Sequence, residues 1–155
     1  MSTSSEKTIR SIGITDKKLF CQKVYINGKW EDSDSGETNE ITNPATGEVL
    51  GTVPNCGANE ARRAIEAANK AWPAWRSRTA KDRASILRRW YELMIENQED
   101  LARLMTAEQG KPLNESRGEI AYAASFIEWF AEEGKRIYGD TIPTNGSNKR
   151  IVVLK

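Results

Sequence analysis

The chain has no histidine at all. That absence excludes a Ser-His-Asp triad, a Cys-His dyad, a His-ligated zinc and any imidazole acid–base or pH switch. Cysteine is nearly as scarce, with only Cys21 and Cys56, far apart in the sequence. A disulfide framework or a Cys-rich metal site needs more thiols at tighter spacing. With no histidine to act as its base, neither cysteine reads as a nucleophile, and both fit small structural positions. No sign of charge dominates: 23 Lys and Arg stand against 22 Asp and Glu, a net charge of +1. Such a balance leaves no electrostatic footprint for nucleic acid or an anionic membrane. No apolar run approaches the roughly 18 residues of a membrane span. The N-terminal stretch lacks an apolar signal region and carries Glu6 and Asp16, so neither a signal nor a transit peptide is expected. The expected compartment is a reducing cytoplasm, with no membrane and no nucleic-acid partner. Phosphate-cradling motifs are missing too: neither G-x-G-x-x-G nor G-x-x-x-x-G-K-[ST] occurs.

What is present suits a globular protein. The 155 residues are 38% hydrophobic and include five tryptophans and three phenylalanines, which predicts a packed aromatic core. Residues 1–19 are rich in Ser, Thr and Lys without clear periodicity and read as a mobile tail. Order is expected from Phe20. Val24-Tyr25-Ile26, Asn27-Gly28 and Lys29-Trp30 form a hairpin signal, because Asn-Gly supplies the two positive-φ positions of a type I′ turn. Asp32 to Glu40 is polar and reads as a loop. Asn43-Pro44-Ala45-Thr46-Gly47 is a second turn, and Val49 to Val53 a strand that ends at Pro54.

From Ala58 the apolar period changes from two to 3.6, with Ala61, Ala64, Ile65, Ala68 and Ala71 on one face of a helix that Pro73 ends or kinks. Thr79-Ala80-Lys81-Asp82 resembles a capping box with Asp in place of Glu. It opens a second helix, whose apolar side runs from Ile86 through Trp90 to Leu104 and Met105. Gly110 stands at its C′ position and Pro112 just beyond. A third helix is expected from about Asn114 to Arg136, with Ile120, Ala123, Phe126, Ile127 and Phe130 at helical spacing. The chain ends on Ile151-Val152-Val153-Leu154, four apolar β-formers of the kind buried on both sheet faces. Left at a terminus this is an orphan edge strand, which natural proteins avoid. The layout therefore predicts a chain that stops in mid-fold.

The chemistry-bearing clusters are few. Arg62-Arg63 and Arg88-Arg89 lie among acidic residues and read as solvated faces. Glu132 and Glu133 are adjacent on a helix, point about 100° apart and do not share a site. Trp90 and Trp129 fall on or beside apolar faces and are expected in the core. Glu108 is more informative. It stands at a helix C-terminus, where the macrodipole disfavours a carboxylate. It reads either as a cation ligand beside free carbonyls or as an exposed residue near a cap.

Two runs, Tyr25-Ile26-Asn27-Gly28-Lys29-Trp30 and Asn43-Pro44-Ala45-Thr46-Gly47-Glu48, resemble the start of an aldehyde dehydrogenase. Glu108 to Pro112, Gly118 to Glu133 and Arg136 to Pro143 are similar to the NADP-preferring, succinate-semialdehyde-oxidising branch of that family. The resemblance runs from about residue 20 to the end. It implies an α/β fold, here its N-terminal portion: a β-hairpin and strands, three helices, the start of an oligomerisation arm and an incomplete Rossmann-type domain. Residues 1–19 would be the tail, 20–139 the N-terminal part of the cofactor-binding domain and 140–155 the start of the arm, with the catalytic domain absent.

The resemblance further implies oxidation of succinate semialdehyde to succinate with NADP (or NAD), as in 4-aminobutyrate degradation, by a homo-oligomer that is a dimer of dimers. Glutarate semialdehyde is the alternative small substrate. A non-catalytic helical interaction module is the alternative outside enzymes. The family's Pro-Trp-Asn-Phe asparagine, cofactor-binding lysine, general-base glutamate and Gly-Gln-x-Cys nucleophile would all follow Lys155. No catalytic or cofactor-binding residue is therefore assigned, and this chain alone is expected to be inactive and to bind no cofactor tightly. One lesser feature carries over: a monovalent-cation site whose ligands would match Thr42 and Glu108, with Ile41 as a further candidate.

Overall fold

The computed structural model describes residues 4–155. Its elements run α1 (Ser4–Ile12), a 3-10 turn (Lys17–Leu19), β1 (Val24–Ile26), β2 (Lys29–Glu31), β3 (Thr38–Thr42), β4 (Val49–Pro54), α2 (Ala58–Arg76), α3 (Ala80–Glu96), α4 (Gln98–Gln109), α5 (Leu113–Glu133), β5 (Asp140–Ile142) and β6 (Ile151–Val153). The strands form three separate antiparallel pairs, β1 with β2, β3 with β4 and β5 with β6.

The α/β class expected from the sequence holds, with two local turns as read. Asn27 and Gly28 take φ of 50° and 80°, the left-handed pair that lets β1 fold back on β2. In the second turn the Asn43 carbonyl accepts from the Gly47 amide at 2.7 Å, and its side chain accepts from the Ala45 amide at 2.9 Å. Asx bonding of this kind closes a turn without a sheet neighbour.

Several expectations are corrected. Residues 4–19 are not an aperiodic tail: they form α1 and the 3-10 turn, with Thr8, Ile9 and Ile14 buried. The first three residues of that expected tail lie outside the described ones. Ile9 and Ile12 share one face of α1, and the polar residues between them hid it. The loop expected to Glu40 is strand from Thr38, because its backbone pairs with β4 as far as Pro54. Pro73 does not end α2, which continues to Arg76. Instead of one helix from Ala80 to Gln109 there are two, divided at Asn97, whose side chain donates to the Leu93 carbonyl at 2.9 Å. That bond competes with the helical ladder. Among the described residues five α-helices thus replace the three expected. The final strand is not an orphan either, because β6 pairs with β5 through Asp140↔Val153 and Ile142↔Ile151.

The largest correction concerns the core. Its buried apolar side chains are small or aliphatic, among them Leu50, Ala102, Ile120, Ala124 and Ala131. The aromatic residues lie outside: Trp90 is 56% exposed, Trp129 63% and Phe130 61%. In α2 only Glu60 is buried, and Ile65 faces solvent. The helical periods hold and Ile120 is covered, but Ile65, Trp90, Phe126 and Phe130 on those faces stay exposed among the described residues. The core is the seam where α5 packs against α3 and α4, carried by the stripe Ser116, Ile120, Ala124 and Ala131. Helices approach closely there because the seam residues are small.

Gly110 caps α4 as expected, at φ 78° with its amide on the Thr106 carbonyl at 2.9 Å. A Cβ at that position would lie 2.9 Å from Pro44 Cγ. Gly110→Ala therefore meets both a left-handed backbone and a steric contact. It should lower stability by about 1–2 kcal/mol, read as a reduced urea midpoint with an unchanged m-value.

Candidate functional site

Thr42 and Glu108 stand on neighbouring segments. Thr42 ends β3 just after a bulge between Ile41 and Thr42, where the pairing with β4 shifts to Val49. The chain then turns through Asn43 and Pro44, and Pro44 lies against Gly110, two residues past Glu108. Both side chains are exposed, and Ile41 is half-buried. Desolvation pushes the Glu108 carboxyl above its ordinary range. Among the described residues its carboxylate has no hydrogen-bond or ion-pair partner, and no group of three or more His, Cys, Asp or Glu is placed to hold a metal ion. The fold thus brings the two segments together without building a closed ligand cage.

Two other carboxylates, which sequence reading did not single out, organise the surroundings. Glu60 is buried in the first turn of α2 and accepts from the Asp34 amide at 2.7 Å and the Gly57 amide at 3.0 Å. Those amide bonds, Asp34 foremost, hold its carboxyl below the ordinary range. The reach from Glu60 back to Gly57 is the N3 half of a capping box, and a Gly–x–x–Glu spacing was the signal available for it. Arg63, one turn on, spans Asp34 at 2.6 Å and Glu31 at 3.0 Å, so α2 is tied to the hairpin and its following loop.

Asp100 plays the matching part on α4. Burial alone would raise its carboxyl, but the amides of Asp16 at 2.7 Å and Thr15 at 3.0 Å outweigh this and bring it below the ordinary value. At Thr79 the expected capping box is only half made. Thr79 Oγ1 accepts from the Asp82 amide at 3.1 Å, but its hydroxyl donates to the Asp82 carboxylate at 2.8 Å. The shorter Asp side chain binds the hydroxyl, not the Thr79 amide.

These shifts fix a pH dependence. Glu60 and Asp100 titrate lower folded than unfolded, so on acidification the unfolded chain takes up protons first. Their contribution is complete above the ordinary carboxylate pKa of about 4 and is lost as pH falls through their depressed values. Glu108 has the opposite sign, its contribution fading as pH rises through its raised value. The expected outcome is a urea midpoint that falls steeply between about pH 5 and pH 3 and is nearly flat from 6 to 8.

The two cysteines do not take the packed positions expected of small structural residues. Cys21 and Cys56 are both free and exposed. Desolvation, with Glu60 next, pushes the Cys56 thiol up, away from the thiolate a nucleophile needs. Tyr122, Phe126, Trp129 and Phe130 line an open groove of about 850 Å³ along α5, rimmed by Arg88, Glu128 and Arg136. Arg88 is already paired with Glu128, and Arg136 with Glu133 at 3.4 Å. None of the described helices is long and apolar enough to cross a membrane.

Comparison with known proteins gives this scaffold a family. Residues 30–155 match the model of the aldehyde dehydrogenase family, and the chain belongs to that family of oxidoreductases. Within it, the chain is 69% identical over 142 residues to a glutarate-semialdehyde dehydrogenase of Pseudomonas putida, covering 92% of this chain and 30% of that protein. It is 63% identical, over the same length and shares, to an NADP-dependent succinate-semialdehyde dehydrogenase of Escherichia coli. Among solved structures, an NADP-dependent enzyme of E. coli superposes with a TM-score of 0.86 at 63% identity, over 90% of this chain and 29% of that one. The chain thus spans about 30% of the length of the curated relatives it matches.

Proposed function

We propose that this chain is the N-terminal portion of a cytoplasmic, homo-oligomeric dehydrogenase that oxidises a short carboxylated semialdehyde to its dicarboxylate with NADP. The observation that carries this reading is the unbroken agreement of residues 30–155 with the family, with semialdehyde dehydrogenases as relatives above 60% identity. In such a reaction a thiolate adds to the aldehyde, hydride passes to the nicotinamide and water releases the acid. The described residues supply none of these groups. They supply a frame: α2 tied to the first hairpin and its loop by Glu60 and Arg63, α4 tied to Thr15 and Asp16 by Asp100, α5 packed on α3 and α4, and a β5–β6 hairpin, read as the start of an oligomerisation arm.

Thr42 and Glu108 are proposed as ligands of a monovalent cation in that frame. The Pro44–Gly110 contact supports this by bringing their segments together, and Glu108 offers an unengaged carboxylate.

The substrate reading is tested on the native gene product with a panel of aldehydes. NADP reduction with succinate semialdehyde and with glutarate semialdehyde should exceed that with uncarboxylated aldehydes of equal length by about 100-fold in kcat/KM, as a site built to pair a substrate charge requires. Glutarate semialdehyde is the second reading, favoured by the 69% identical relative. Equal turnover of uncarboxylated aldehydes would remove the substrate class.

A further inference from the structure

We propose that Asn145, in the loop between β5 and β6, is a site of spontaneous deamidation that gives this basic loop a carboxylate. Asn-Gly occurs at Asn27-Gly28 and at Asn145-Gly146, and the fold treats the two pairs differently. In such a pair the glycine amide gives its proton to a base from solvent, and its nitrogen bonds to the Asn Cγ. The side-chain Cγ–N bond breaks, and the nitrogen leaves as ammonia with that proton returned by the base. Water then opens the five-membered imide at either carbonyl, leaving aspartate or isoaspartate. One water is taken up for each ammonia released, and nothing is oxidised or reduced.

Closing the imide ring brings Asn Cβ and the glycine nitrogen into line about the Cα–C bond. Asn27 reaches that geometry only by undoing its hairpin. Its φ of 50° belongs to a type I′ turn, whose first residue holds ψ at roughly +30°, far from what the ring demands. The Ile26↔Lys29 pair and the edge-on contact of Tyr25 with Trp30, ring centres 5.1 Å apart, clamp that turn.

Asn145 has no such clamp. It is exposed in the loop of residues 143–150, and among the described residues its side chain has no hydrogen-bond partner. The Gly146 amide meets the Thr144 hydroxyl at 3.4 Å, beyond the roughly 2.7–3.2 Å of a firm amide bond, so its proton is available. The bonds that shape the loop fall on other atoms, with Thr144 Oγ1 donating to the Gly146 carbonyl at 2.7 Å. Lys149 runs alongside, its Cδ 3.8 Å from where a Gly146 Cβ would stand. Neither Lys149 nor Arg150 has an ion-pair partner among the described residues. Two unpaired cations favour both the amidate formed on the way and the carboxylate formed at the end. Each event lowers the chain's net charge of +1 by one.

Incubating the full 155-residue chain in mildly alkaline buffer, then mapping its peptides by mass and isoaspartate content, tests this. Free peptides spanning residues 24–31 and 141–150 are the references. Conversion at Asn145 should run within about threefold of its free peptide, and at Asn27 at least about tenfold slower than in its own. Ammonia should appear in step with the Asn145 product. Gly146→Ala should slow conversion at Asn145 by about tenfold and leave Asn27 alone, because a Cβ then shields the attacking nitrogen. An Asn145 as well protected as Asn27, each against its reference, would overturn the proposal. So would an Asn27 that converts first.

Discussion

Ala124→Leu is expected to lower stability by about 2–3 kcal/mol, a fall of roughly 6–10 °C in the thermal midpoint. Ala124 has no exposed surface and sits in the middle of the stripe that α5 turns towards α3 and α4. Three more heavy atoms there must push the helices apart or force strained rotamers. Either response loosens the contact between Thr106 Oγ1 and Ser116 Oγ, 2.8 Å apart, with Ser116 itself fully buried. The same substitution at Ala121, on the exposed side of α5, should change stability by less than about 0.5 kcal/mol. Thermal unfolding of the two variants side by side separates seam packing from helix propensity. Equal midpoints would place the core elsewhere.

Asp100→Ala should cost about 1–3 kcal/mol, because it leaves the Thr15 and Asp16 amides with no acceptor. Asp100→Asn keeps one carbonyl oxygen and should cost less. The pH profile distinguishes this from lost packing. With the carboxylate gone, the acid-side fall in stability becomes shallower, since one fewer depressed carboxyl, with Glu60, Glu99 and Glu132 left, remains to be protonated. A profile as steep as that of the unmodified chain would show that Asp100 has no part in it.

Much of the local structure was legible in the sequence. Asn27-Gly28, the Asn43–Gly47 turn and Gly110 each impose a backbone conformation that few residues adopt, so their meaning is nearly independent of surroundings. The helical periods of α3 and α5 were equally plain. What they faced was not. Periodicity shows that Phe126 and Trp129 share an apolar side, but it does not say whether any element covers it, and both stay exposed among the described residues. α1 went unread for another reason. Its apolar face is little more than Ile9 and Ile12 among serines and threonines, and it is folded by contacts with α4 and β4 distant in sequence.

The candidate site divides the same way. Glu108 stands out in the sequence through its odd position at a helix end. Glu60 and Asp100 look in sequence like ordinary first-turn acids, and only the tertiary fold brings the Asp34, Thr15 and Asp16 amides onto them.

The central claim is that these residues form the frame of a dehydrogenase whose reacting groups lie outside them. Its most direct test is to assay NADP reduction by the native gene product and by the 155-residue chain side by side, with succinate and glutarate semialdehydes. The account predicts turnover of about 1–1,000 per second for the native product and none above background for the 155-residue chain. Comparable turnover by the 155-residue chain, or none by a folded native product with either semialdehyde, would contradict it.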